Sequence, residues 1–409
     1  MIRAGRPSRR ARGTSGRRGV LALWVASALL VVAAAPVWAH EGEHADPELL
    51  NHWRTLVHLG VQWAHLVAFA LWLGGMTAAT RLPGLTLERL LFASWALFLV
   101  SLGSGSYNME FGAATPESPD VLSLPALWRR YPFGAAYIIL IGVKQALLGI
   151  AALLTLVVTV WHVRRPPGAD RARLRRVFVG ASVGLGLALA AAAALVLVLH
   201  EAVDLAPTPL HSMGGVVGPR GPEELAGLAE ARAAAPPPYG GDLRAPGAGF
   251  GLLALPAAVR DAVARFGHLV GFALWLGGTA AMLITTDEHP TPRVLPFLWL
   301  GLAVLAVTGT YQLVFWTPFA RPPWPWRLSE MTHVRFGYTY TLLLAIKLGL
   351  AALGAAGTAA LARAARPAAD RRGRTGSRGL AWLNLGIGLA LAYVAMALLL
   401  VHEGVDHAL

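Results

Sequence analysis

Eight apolar stretches separated by short polar ones run along the chain, at 55–79, 86–108, 134–161, 177–200, 259–283, 294–316, 335–362 and 379–401. Each is near or above the ~20 residues that a helix needs to cross the hydrocarbon of a bilayer. The pattern predicts an all-α integral membrane protein with eight transmembrane helices. Ahead of them, residues 1–18 hold seven arginines and no acid, and an apolar run then ends in small residues at Ala39. That order predicts a secretory signal peptide over 1–39, with an uncleaved anchor helix as the alternative.

The apolar stretches repeat. HLVAFALWLGG at 65–75 returns as HLVGFALWLGG at 268–278, an offset of 203 residues. Gly105–Asn108 (GSYN) is answered by Gly309–Gln312 (GTYQ), Phe133-Gly134 by Phe336-Gly337, Lys144 by Lys347, and HEAVD at 200–204 by HEGVD at 402–406. Ordered matches over such a distance indicate one unit written twice. The expected organisation is a four-helix repeat over 55–200, a Pro/Gly/Ala-rich linker over 201–258, and a second four-helix repeat over 259–401. A short segment, 40–54, precedes the first repeat and a tail, 402–409, follows the second. Four helices per half send both halves into the membrane in the same sense, a parallel duplication.

Charge sets the orientation. The arginine-dense connections are HVRRPPGADRARLRR at 162–176 and ARAARPAADRRGRTGSR at 362–378, and such loops stay in the cytoplasm. The mature N-terminus, the 109–133 loop, the linker and the tail are then expected outside the cytoplasm. The formal net charge of +13 follows from this placement of basic residues beside apolar segments, and is not a nucleic-acid footprint. Only 14% of the 409 residues are charged and 56% are hydrophobic, as in a multi-span membrane protein.

Two residue types narrow the chemistry. Cysteine is absent, which excludes disulfides, thiolate metal sites and CxxC redox chemistry. Of 35 basic residues only Lys144 and Lys347 are lysine, and neither follows a Gly-rich loop. No phosphate-cradling loop exists, so ATP is not an expected partner.

Ionisable residues inside spanning segments are costly and are candidates for function. They include His58, His65, Lys144, His268 and Lys347. His65 and Lys144 lie about ten residues from the same end of their helices, so at ~1.5 Å per residue they share a depth. His268 and Lys347 repeat the arrangement, which points to a polar site, charge station or proton relay in each half. An imidazole hydrogen-bonded to a neighbouring helix is the plainer reading of either histidine. Phe69, Trp72 and Met76 share the His65 face and read as packing. Gly74, Gly75, Gly277 and Gly278 read as helix-packing positions that allow close approach. At the outer ends gather His40, His44, His200, Glu201, His402 and Glu403. Imidazole with carboxylate suits divalent copper or zinc; a solvated polar cap is the alternative.

The chain resembles the copper-resistance protein D family. The resemblance rests on His65–Gly75, Gly105–Tyr107 and Phe133–Lys144, and again on His268–Gly278, Gly309–Tyr311 and Phe336–Lys347. It covers nearly all of the chain after residue 50 and implies an eight-helix inner-membrane protein linked to copper uptake or tolerance. A related family with the same His and Lys pattern includes a membrane protoporphyrinogen oxidase proposed to hold haem.

The leading expectation is therefore copper-ion transport from the periplasm rather than an enzyme. A separate periplasmic copper-binding protein would be the donor. His40, His44, His200 and His402 would gather the ion, His65 and His268 would bind it, and the lysines would control charge. A haem-binding redox protein and a non-catalytic partner of a periplasmic copper protein are the alternatives.

Overall fold

The computed structural model describes residues 53–111, 134–164, 170–204, 256–287, 290–315, 337–365 and 373–406. Among them every regular element is helical: α1 (Trp53–Ala79), α2 (Leu87–Phe111), α3 (Gly134–Arg164), α4 (Asp170–Asp204), α5 (Pro256–Ile284), α6 (Pro290–Phe315), α7 (Gly337–Ala364) and α8 (Gly373–Asp406). Each carries a stretch long and apolar enough to cross a membrane. This is the architecture of a multi-pass membrane protein. Its outward surface agrees with that, for Phe92 on α2 and Val307 on α6 are 78% and 71% exposed, an arrangement that hydrocarbon tolerates and water does not. The 1–39 leader, the 40–52 segment and nearly all of the linker lie outside the described residues.

Several helices run past their apolar stretches. α4 begins at Asp170 and α8 at Gly373, so much of both arginine-dense connections is helical. Arginine is a good helix former, and a helix has no reason to stop where hydrocarbon ends.

α1 and α5 form the centre. α1 packs on α2, α4, α5 and α8, and α5 packs on α6, α1, α4 and α8. The α1–α5 crossing is made by glycine. A Cβ at Gly74 would run into the Ala273 carbonyl and lie 2.8 Å from the Gly277 Cα; one at Gly277 would lie 2.6 Å from both the Ala70 carbonyl oxygen and the Gly74 Cα. Ala70 and Ala273, like Gly74 and Gly277, stand 203 positions apart, so each helix offers the other the same surface. Gly278 instead abuts Leu298 and Val294 of α6, and Gly75 has open space where a side chain would begin.

The end of the molecule bearing the α1–α2 turn is tied by charge. Arg175 at the start of α4 donates to the carbonyls of Ala79 (2.6 Å), Leu82 (2.7 Å) and Leu85 (2.8 Å), at the end of α1 and in the turn that follows it. Arg378, its counterpart on α8, reaches the Leu283 carbonyl at 3.3 Å. Between halves, the Gly84 N–H donates to Asp287 Oδ2 (3.0 Å), and Thr286 Oγ1 donates to the Gly84 carbonyl (2.9 Å). Charge-assisted bonds of this kind contribute about 1.5–3 kcal/mol each when geometry is good. Arg175→Gln is expected to lower stability by about 2 kcal/mol, and Arg378→Gln by less. Thermal unfolding in detergent reads this, and an unmoved Arg175→Gln transition would mean that water caps those carbonyls equally well.

Candidate functional site

In the first half the site is built on α1. His65 Nδ1 lies 2.9 Å from Ser104 Oγ on α2. Ser104 Oγ already gives its single proton to the Val100 carbonyl at 2.6 Å, so it accepts from His65, and Nδ1 carries the imidazole hydrogen. In the neutral ring Nε2 is then the lone-pair nitrogen. Facing it at 3.5 Å stands Lys144 Nζ on α3, at the long end of hydrogen-bonding range. Gly105 lies beneath the ring, where a Cβ would sit 3.6 Å from His65 Cε1.

The second half repeats the imidazole–hydroxyl pair and the glycine beneath it. His268 Nδ1 lies 3.1 Å from Thr308 Oγ1 on α6, whose hydroxyl donates to the Val304 carbonyl at 2.7 Å. Gly309 lies beneath the ring at 3.6 Å, measured in the same way. Lys347, which answers Lys144 at an offset of 203, lies on α7. Both histidines and both lysines are half-buried. The structure thus brings His65 to Lys144 within the first half, and sets His268 on the Thr308 hydroxyl in the second. Gly74 lies nine residues after His65, so at ~100° per residue it occupies the opposite face of α1. The imidazoles therefore face away from the α1–α5 crossing. The two imidazole–hydroxyl groups thus lie apart, one in each half.

One turn or two nearer the α1 start the halves diverge. His58 Nε2 accepts from Gln62 Nε2 at 2.8 Å, and its ring lies 6.1 Å from that of Tyr107. In the second half the equivalent positions are Asp261 and Arg265, with Arg265 Nε donating to Asp261 Oδ2 at 2.7 Å. Sequence reasoning passed over this pair, and Ser104 and Thr308 with it. Asp261 and Arg265 sit at i and i+4 inside a predicted span, a signal that was there to use.

Deeper along α5, Trp275 Nε1 and Asn384 Nδ2 both donate to Thr358 Oγ1, at 3.2 and 2.9 Å. On α1 the matching indole nitrogen, Trp72 Nε1, is buried with no partner, and its ring packs on Phe98 with centroids 5.1 Å apart. Trp72 and Met76 are core side chains.

Of the other expected metal ligands, His200 and Glu201 fall in the last turns of α4, and His402 and Glu403 in those of α8. His40 and His44 lie outside the described residues. His58 is two helical turns from His65, about 10 Å along the axis, too far to share one ion. Among the described residues, no three His, Asp or Glu side chains gather where they could hold a metal. Compared with family models, curated proteins and solved structures, the chain matches none.

Proposed function

We propose that the protein moves copper ions inward across a bacterial inner membrane, with one within-membrane station per half at His65–Lys144 and His268–Lys347. In this reading the halves are parallel four-helix repeats. The leader is removed after Ala39, and both mature termini face the periplasm, where a separate copper-binding protein delivers the ion. His40, His44, His200 and His402 collect it.

The observation that carries the reading is the twice-built imidazole. Its Nδ1–H is anchored to a hydroxyl that is itself fixed to its own helix, so Nε2 is presented with its lone pair free of backbone bonds. Metal-binding histidines are oriented in this way, by a hydrogen bond on the nitrogen that does not ligate. Imidazole and amine nitrogen are donors that suit copper. A lysine facing Nε2 makes the station conditional: as an ammonium it occupies the lone pair and repels a cation, and once its proton is lost it becomes a second donor. Ion passage and proton movement are thereby coupled at each station. The resemblance to the copper-resistance protein D family supports the same reading.

The same anchored imidazole favours one rival, since a haem axial ligand is presented in the same way. Absorption spectroscopy and elemental analysis of detergent-purified protein, expressed with copper and haem precursor supplied, separate the two. Copper near one or two per chain without a Soret band is the expected result. A Soret band lost in His65→Ala would transfer the protein to the haem class. In cells, the His65→Ala, His268→Ala double variant is expected to accumulate copper at least about tenfold more slowly than wild type. Losing even a ligand's orienting bond commonly costs about 10–100-fold in affinity. Wild-type accumulation would overturn the within-membrane role.

A further inference from the structure

We propose that the two stations differ in access. A small cation reaches His65 from the α1-start side past His58 and Gln62, whereas the Asp261–Arg265 ion pair closes the equivalent approach to His268.

The positions correspond one to one, Asp261 to His58 and Arg265 to Gln62, each 203 residues apart. Arg265 and His268 are i and i+3 on one helix and therefore neighbours on its surface, so an ion moving down that face meets the guanidinium just before the imidazole. A guanidinium keeps its charge at any pH the cell offers. In the first half the same ion meets a carboxamide and a second imidazole, neither of which carries a fixed charge.

Packing points the same way. Asp261 is 0% exposed, while His58, its counterpart, is only partly buried, and Arg265 and Gln62 are partly buried alike. In the most apolar 18-residue stretch of α5, 67% of positions are buried, against 33% in α1. One turn beyond His268, α5 and α6 also meet backbone to backbone. A Cβ at Gly301 would lie 2.6 Å from the Gly271 carbonyl oxygen, and the corresponding first-half residues are Ala68 and Leu97. The duplication has thus produced one open station and one plugged station. Lys144 faces traffic from outside, and Lys347 faces only what comes from within the protein or from the other side of the membrane.

The inference rests on the proposed orientation of the chain, not on the identity of the ion, and it can be tested without copper. Because the protein contains no cysteine, His65→Cys and His268→Cys each place a single thiol in full-length protein. A membrane-impermeant cationic thiosulfonate is added to intact spheroplasts, and labelling rates are read by mass spectrometry. The His65→Cys protein is expected to label at least about tenfold faster than the His268→Cys protein. Adding Asp261→His with Arg265→Gln, which transplants the first-half pair without stranding a charge, is expected to raise His268→Cys labelling towards the His65→Cys rate. Adding His58→Asp with Gln62→Arg is expected to slow His65→Cys labelling. Equal rates in the parent variants, rates unmoved by both transplants, or silence at both thiols would overturn the proposal. A failed copper reading shows separately, as metal-free wild-type protein whose two thiols still label unequally.

Discussion

Gly277→Leu is expected to abolish the stable association of α1 with α5 and to remove more than about 3 kcal/mol of stability. Overpacking a core that can yield costs about 1–3 kcal/mol, and here little can yield. The first atom of any side chain at 277 would meet the Ala70 carbonyl oxygen, the Gly74 Cα and the Gly75 nitrogen within 2.7 Å. All three are backbone, so relief requires the two central helices to separate. Those helices also hold α4 and α8, so separation loosens the whole centre of the bundle. Gly74→Leu is expected to behave alike, because the contact is reciprocal. Gly75→Ala is the control: a Cβ there meets nothing within 4 Å, and its effect should stay within about 0.5 kcal/mol. Denaturant or thermal unfolding in detergent makes the comparison. A Gly277→Leu protein that unfolds with wild type would show that α1 and α5 are not joined at this crossing.

The contrast between Gly277 and Gly278 shows where reading the sequence stops. Both glycines belong to the repeated string, yet successive helical residues point about 100° apart, and only the packed structure says which one faces the partner helix. The eight helices themselves were legible because hydropathy and length are properties of the chain alone. Their ends were not, since α4 and α8 continue through arginines that hydropathy marks as loop. The pairing of His65 with Lys144 was legible through matching depth, and the repeat strengthened it. That same trust in repetition hid Asp261 and Arg265. They stand where the first half has His58 and Gln62, and a search for residues that recur passes over residues that differ. Ser104 and Thr308 were invisible for another reason. Hydroxyls are common in membrane helices, and only the bond to each imidazole sets these two apart.

Arg265→Gln is the second large effect expected, a loss of about 3–5 kcal/mol, the usual cost of removing one partner from a buried ion pair. Asp261 is wholly buried and sits in a segment apolar enough to span a membrane, so water cannot readily replace the guanidinium. Asp261→Asn should cost less, because it leaves the cation on the longer and partly exposed side chain, which can move towards solvent. The double variant Asp261→Asn, Arg265→Gln removes both charges at once and can keep a neutral hydrogen bond at the same i, i+4 spacing. It is expected to lie within about 1 kcal/mol of wild type, since replacing a buried pair as a unit is often close to neutral. The signature is non-additivity, a coupling of at least about 1.5 kcal/mol between neighbouring sites, read from detergent unfolding of the four proteins in the cycle. Additive losses would mean that each group is held by other partners and that the two charges do not act as one plug. The sign of that coupling also decides how the second half can be opened, because a plug that behaves as a unit can be removed only as a unit.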